Sequence, residues 1–325
     1  MAGDQLPELL TIGRIGVDIY GQELGQGLED QQTFAKAVGG SATNVAVAAA
    51  RLGHRAAVLT KVGDDSLGTY AIRDCEALGV DTRWISRMPG GRTPVVLTGL
   101  DNPGDPELVF YRDGNTPDLQ LTSDDLSDDV ARGVDVLWYT GSALSREPST
   151  STVLHALRVR ERREHVIYDL DYRPSFWNSR DDATAAIGAA IDYATITIGN
   201  REECSVALGM PIDSKPDDFA AGFLDRGVKV AIVKQGADGV LVVTADERVV
   251  VPGIPIDVVC GLGAGDAFGG SFVHGILRGW SPADAVTYAN AAGAIVASRL
   301  LCSHAMPTDL EVRELLAAAG RKVPA

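Results

Sequence analysis

VVCGLGAGDAFGG, residues 258–270, sets a single acid among glycines. Val258 and Val259 end an extended apolar run, whereas Ala267, Phe268, Ser271, Phe272 and Ile276 recur at helical spacing. The pattern predicts a strand-to-helix turn. Gly263, Ala264 and Gly265 put almost no side chain between a ligand and the N–H groups of the helix start, and Asp266 falls in the first helical turn. Two readings stand side by side. One is a tight turn with an acid that only stabilises a helix N-terminus. The other is an anion cradle facing a transferring phosphoryl group, with Asp266 taking a proton from a hydroxyl nucleophile. The spacing is not GxGxxG, because Asp266 holds the sixth position, and no GxxxxGK[ST] occurs. A dinucleotide-dependent dehydrogenase therefore lacks its fingerprint.

Outward from this stretch, short β-branched runs alternate with helical patterns. Strands are predicted over 9–19, 56–63, 134–141, 165–171, 193–200 and 228–236, and helices over 41–52, 65–78, 148–163, 181–192, 201–209 and 217–226. Several runs are continuously apolar, as strands covered on both faces are. The alternation predicts an α/β fold with a mostly parallel central sheet and helices on both faces. Two segments break it. RTPVVLTGL (92–100) and ELVFYRD (107–113), joined by DNPGDP, read as a hairpin. The polar stretch 20–36 separates the first strand from the first helix, and together the two insertions predict a small β lid over about 14–37 and 91–114 beside one domain spanning 1–325.

Composition bounds the function. The 325 residues are 45% apolar and 22% charged, ordinary for a folded globular chain. A net charge of -15, with only RVRERR (158–163) as a basic run, excludes a nucleic-acid footprint, and that run reads as a solvated helix face. Cys75, Cys204, Cys260 and Cys302 show neither metal nor disulfide spacing. The start, MAGDQLPELL, has no basic n-region, and no apolar stretch approaches the roughly 18 residues of a membrane span. A cytoplasmic protein without membrane contact is expected.

A second glycine-rich element, VGGSATNVAVAAARLG (38–53), sets Gly39 and Gly40 before a helix whose small residues suit close packing. Asn44 is polar in an apolar first turn and is either a helix-start residue or a ligand-binding amide. Asp18, at the end of the first predicted strand, is either a turn former or an acceptor for substrate hydroxyls.

GGSATNVA, then Gly53 and Gly63, and some 200 residues later GAGDAFGGSF, resemble the paired signatures of the ribokinase-like (PfkB) carbohydrate kinases, over essentially the whole chain. The resemblance implies ATP as phosphoryl donor, Mg2+ and a sugar-like acceptor. By carry-over Asp266 is the base and Gly263, Ala264 and Gly265 form the anion hole. Asp18, Gly40 and Asn44 are sugar-binding positions. Asn200 and Glu203, in NREEC, fit an NxxE element that organises Mg2+ and phosphates, although a helix start with acids in its first turn explains them equally. Gly236 and Gly239 match a nucleotide-side loop, and Asn290 borders the adenine pocket.

IGRIGVDIYG, FYRDGNTPDL, YDLDYRPSFW and SRLLCSHAMPT resemble the branch of the family that phosphorylates a sugar acid of inositol catabolism, more than ribokinase, fructokinase or 2-keto-3-deoxygluconate kinase. For such an acid, Arg14, Arg112 and Arg173 each offer a charge-assisted partner, and Arg112 and Arg173 are the expected set. A catalytically silent sugar- or nucleotide-binding regulator is the reading from another class. One departure stands out. Cys260 and Gly261 replace the family's usual Asp-Thr pair, which puts a monovalent-cation requirement in question, and Cys260 itself reads as a packing residue. A homodimer through the lid is the oligomeric expectation.

Overall fold

The apolar run starting at Leu9 serves two sheets. In the computed structural model, which describes residues 5–102, 104 and 106–325, β1 (Leu9–Ile12) lies inside a large sheet and β2 (Gly16–Gly21) opens a small one. The β-branched and apolar residues over 9–19 predict one strand, but Gly13 and Gly16 mark a bend that carries the chain out of the main sheet. Asp18 therefore sits within β2 of the lid and not at the end of the first strand.

After β2 come β3 (Phe34–Gly39), α1 (Ser41–Arg51), β4 (Ala56–Gly63), α2 (Ser66–Ala77), β5 (Ile85–Met88), β6 (Val95–Thr98), β7 (Leu108–Tyr111), α3 (Asp128–Gly133), β8 (Val136–Thr140) and α4 (Ser149–Arg160). Then follow β9 (Val166–Asp169), α5 (Arg180–Ala190), β10 (Ile196–Asn200), α6 (Arg201–Leu208), α7 (Pro216–Asp225), β11 (Val230–Lys234), β12 (Val240–Val243) and β13 (Arg248–Val251). Three helices, α8 (Ala264–Leu277), α9 (Pro282–Ala297) and α10 (Asp309–Ala318), end the chain.

The main sheet runs β13-β12-β11-β10-β9-β8-β1-β4-β5, parallel from β11 to β5 with β12 and β13 antiparallel at one edge. The lid runs β3-β2-β6-β7, with β2 and β6 parallel and the hairpin β6–β7 antiparallel as expected. Its connecting turn includes positions 103 and 105, outside the described residues. Phe34 and Tyr111 are exposed on the lid. No helix among the described residues is long and apolar enough to cross a membrane.

Period-two alternation splits the core between the sheet's faces. Leu9, Val58, Val136 and Trp138 pack with α1, α8 and α9, whereas Leu10, Leu59, Leu137 and Tyr139 pack with α4 to α7. Each such aliphatic side chain contributes roughly 1.5–3 kcal/mol by leaving water. Helices α1 and α8 touch so closely that a Cβ at Gly270 would overlap Ala48. Their N-termini consequently end side by side, above the carboxyl ends of the parallel strands.

Two expectations need correcting. Residues 252–263 form no strand: Pro252 and Pro255 lack the N–H a ladder needs, and the N–H groups of Val259 and Cys260 instead donate to Ala297 O at 2.8 and 3.1 Å. The 263–266 turn thus joins a loop to α8. Nor is RVRERR simply a solvated face. Arg160 is 3% exposed, and its guanidinium donates to the carbonyls of Arg132, Val134, Asp135 and Glu164 at 2.6–3.0 Å, tying α3 and α4 to the strand entrances. Arg162 reaches the carbonyls of Ala194 and Gly227. Replacing Arg160 by Met strands several buried acceptors, so Arg160→Met is expected to cost at least about 2 kcal/mol in urea denaturation. A loss below about 0.5 kcal/mol would mean that water serves those carbonyls equally well.

Candidate active site

The strand ends, the two helix N-termini and the lid enclose a cleft of about 250 Å³. Gly263 is the N-cap of α8 at φ +82°, and a Cβ there would overlap Sγ of Cys302, so both backbone and space demand glycine. No side chain caps this helix. Its first N–H groups, around Gly263, Ala264 and Gly265, are therefore left for a ligand, and positive dipole potential collects there.

Asp266 faces the cleft from the first turn of α8 and accepts a hydrogen bond from Asn44 Nδ2 at 2.8 Å. Asn44 is not a helix-start residue: the N-cap of α1 is Gly40, and the Asn44 amide is spent across the fold on Asp266 and, at 3.2 Å, on Cys302 Sγ. Its Oδ1 is buried without a protein partner. Gly40 lines the cleft beside Ser41, whose Oγ donates to Asp169 Oδ2 at 3.3 Å. Burial raises the Asp266 carboxyl above its ordinary range, against the lowering effect of the Asn44 hydrogen bond.

Acids and bases crowd the remaining wall. Asp18 is 5% exposed, receives the Tyr20 hydroxyl at 3.3 Å, and is pushed by burial up to about 7. Asp169, at the end of β9, is likewise raised by burial. Asp171 behaves oppositely: burial alone would raise it, but Arg14 and Arg173 hold its carboxyl below the usual range. Arg173 stands 3.2 Å from Asp171 and 3.6 Å from Glu203, and Lys234, at the end of β11, is 4.0 Å from Glu203. Arg112 lies outside this lining, paired at 2.5 Å with buried Asp118.

A second cavity of about 610 Å³ adjoins the cleft through Lys234, Gly261 and Gly265. Gly236, Gly239 and Asn290 line it, and Asn290 Nδ2 donates to Pro252 O at 2.9 Å. Between the two spaces, Asn200 and Glu203 cap α6 reciprocally: Glu203 N donates to Asn200 Oδ1 at 2.9 Å, and Asn200 N to Glu203 Oε2 at 2.6 Å. The helix-start reading of this pair is thus geometrically real, while both residues also line the cleft.

Among the described residues no cluster of three His, Cys, Asp or Glu offers a closed metal cage. Glu203 and Asp169 both line the cleft and are hard oxygen donors of the kind Mg2+ takes one or two of, alongside waters and phosphate oxygens. Behind the anion turn stand Cys260 and Cys302, both 2% exposed and both raised by burial, hence neutral thiols. Neutral sulfur is a poor ligand for a hard monovalent cation. Sequence reasoning had passed over Ser41, Asp169, Asp171 and Lys234. Their signal was position: each acid or lysine ends or follows a predicted parallel strand, where open α/β sheets bind ligands.

Residues 6–309 match the pfkB family of carbohydrate kinases. A 5-dehydro-2-deoxygluconokinase of Geobacillus kaustophilus is 32% identical over 313 residues, covering 95% of this chain and 93% of that protein. One of Bacillus thuringiensis is 31% identical over 326 residues, covering 99% and 98%. Among solved structures, a ribokinase II of E. coli in complex with ATP and Mg2+ has a TM-score of 0.86 at 25% identity, over 96% of this chain and 100% of that one. A Vibrio cholerae fructokinase with fructose, ADP and potassium has a TM-score of 0.84 at 25% identity, over 96% and 99%. With the nine-stranded sheet, the β lid and the glycine turn at α8 all in place, the chain belongs to the pfkB family of carbohydrate kinases.

Proposed function

We propose that this kinase transfers the γ-phosphoryl group of ATP to a terminal hydroxyl of a sugar acid, 5-dehydro-2-deoxy-D-gluconate, giving its 6-phosphate in myo-inositol catabolism. The observation that carries the reading is the cleft itself. One carboxylate, Asp266, is aimed by Asn44 beside uncapped helix N–H groups, and cationic side chains share the wall. The curated relatives bearing that activity support the acid over a neutral sugar.

In this reading the acceptor lies between lid and sheet, with Asp18 and the unpartnered Asn44 Oδ1 accepting from its hydroxyls above Gly40. Asp266 accepts the proton of the terminal hydroxyl as its oxygen attacks the γ-phosphorus in line, and ADP leaves toward the cavity of Gly236, Gly239 and Asn290. Amides of Gly263, Ala264 and Gly265 face the charge that gathers on the phosphoryl oxygens. Mg2+, when bound near Asn200 and Glu203, neutralises phosphate charge. The apolar face of the lid keeps water from competing with the sugar hydroxyl: Val96, Leu108 and Phe110 line the cleft.

Purified protein with ATP, Mg2+ and a substrate panel, read as ADP formation, tests the proposal. 5-Dehydro-2-deoxygluconate is expected to give the highest kcat/KM, above 2-keto-3-deoxygluconate, fructose and ribose. Better turnover of the neutral sugars would overturn it, and failure to consume ATP with any acceptor would favour the silent regulator. Asp266→Asn is expected to lower kcat by about 10²- to 10⁴-fold while ATP still binds, as loss of a general base typically does. Near-normal turnover would remove Asp266 from that role.

Acidity gives a further check. Asp18 accepts a sugar hydroxyl most strongly when ionised, and with its carboxyl at about 7 the ionised fraction is half there and falls about tenfold per unit well below. The kcat/KM for the acceptor is therefore expected to drop on the acid side through an apparent pKa near 7. An acid limb confined to the ordinary range of about 4 would contradict the effect of burial on this site.

A further inference from the structure

Arg14 occupies the passage from β1 to β2, where the main sheet hands over to the lid. Its carbonyl accepts from Thr43 Oγ1 at 2.9 Å, which ties the backbone to α1. The guanidinium is gripped from the sheet side: Nε donates to Ser142 Oγ at 3.0 Å, and Nη2 donates to both Asp171 oxygens at 3.0 Å. Ser142 in turn donates to Asp171 Oδ2. Phe176 lies under the guanidinium, its ring centre 5.3 Å from Cζ. Among the described residues Nη1 has no hydrogen-bond partner, and Arg14 lines the same cleft as Asp18, Asn44 and Asp266.

A planar fork anchored along one side, with a nitrogen left over in a cleft, suits an anionic oxygen. The proposed reaction brings two such anions, the acceptor's carboxylate and the triphosphate. Position sorts the cations between them. Lys234 lines both the cleft and the nucleotide cavity, whereas Arg173 lines the cleft alone and bridges Asp171 to Glu203 at the start of α6, the helix whose cap faces Lys234. Arg14 stands on the lid side, four residues before Asp18, and takes no part in lining the nucleotide cavity. Arg112 gives Nη1 to Asp118 and has a buried Nη2 without a partner among the described residues, but it lies outside the cleft lining.

We propose that Arg14 is the specificity-determining residue for the acceptor, its free Nη1 receiving the carboxylate of the sugar acid, while Arg173 and Lys234 serve the phosphates. This rests on the sugar-acid reading above. Asp171 and Ser142 are positioning residues: they act on the substrate only by fixing the plane and direction of the Arg14 fork. Selectivity then sits where the main sheet passes into the lid, since Arg14 lies two residues before the lid's first strand.

The test compares wild type, Arg14→Gln, Arg14→Lys and the double variant Arg14→Gln with Asp171→Asn, which leaves no unpaired buried carboxylate should the single variant fail to fold. Each is assayed for ADP formation with 5-dehydro-2-deoxygluconate and with the matching compound whose carboxylate is reduced to an alcohol, and folding is followed by circular dichroism. In both Gln variants the KM for the acid is expected to rise about 10- to 100-fold, the loss of one charge-assisted bond, and the acid-to-neutral ratio of kcat/KM to fall by a similar factor. Arg14→Lys, keeping charge without the fork, should fall between. The KM for ATP should stay within about threefold, well short of that charge-assisted loss. Folded variants that keep the wild-type preference for the acid overturn the Arg14 assignment alone, and a rise in the KM for ATP in place of the acid moves Arg14 to the phosphates. A wild type that prefers the neutral compound overturns the sugar-acid reading and this assignment with it.

Discussion

Helices α1 and α8 meet where Ala48 faces Gly270 with no room for another carbon, and this contact sets the geometry of everything chemical in the protein. It aligns two helix N-termini at one rim of the sheet. Across that rim the Asn44 amide holds Asp266 at 2.8 Å, linking residues 222 positions apart. The same approach seats Cys302 under Gly263, so the turn cannot relax into a conformation that a side chain would permit. A larger residue at the helix contact would separate the base from the amide that aims it, well before it unfolded the sheet.

Around that fixed pair, the cleft gathers more acid than an apolar wall could tolerate unpaired. Burying a carboxylate is expensive unless a cation or donors accompany it, and the protein answers differently at each position. Asp171 is held ionised between Arg14 and Arg173, whereas Asp18 has only a phenol and a more distant arginine, and its carboxyl rises to about 7. Glu203 spends one oxygen on the backbone of its own helix cap and faces Arg173 and Lys234. The result is a wall in which charges of both signs alternate from lid to nucleotide cavity. An anionic acceptor and an anionic donor can then lie close together without a single large positive field.

Much of the architecture could be read from local pattern. The α/β alternation, the hairpin at 95–111 and the bounds of α1, α2 and α4 to α7 within three residues follow from periodicity and breakers. The failures share a cause. Residues 9–19 are mostly apolar and nearly all buried because both sheets cover them, so hydrophobicity alone conceals the change of sheet. Val258 and Val259 are β-branched, yet two prolines upstream deny the segment a ladder. Arg160 belongs to a basic run in sequence, but the carbonyls that surround it come from other elements.

By itself the sequence determined which residue types could do chemistry and roughly where: an acid after glycines at a helix start, a second glycine pair before another helix, and strands ending in polar residues. Those are local facts, written in spacing. Only the tertiary structure decided partnership: that Asn44 serves Asp266 and not its own helix, that Arg112 pairs with Asp118 outside the cleft lining, and that Arg14 Nη1 has no hydrogen-bond partner among the described residues. The reason is physical. Periodicity encodes which face of an element is buried, but the partner a polar group finds there depends on strand order, and strand order brings together residues more than a hundred positions apart.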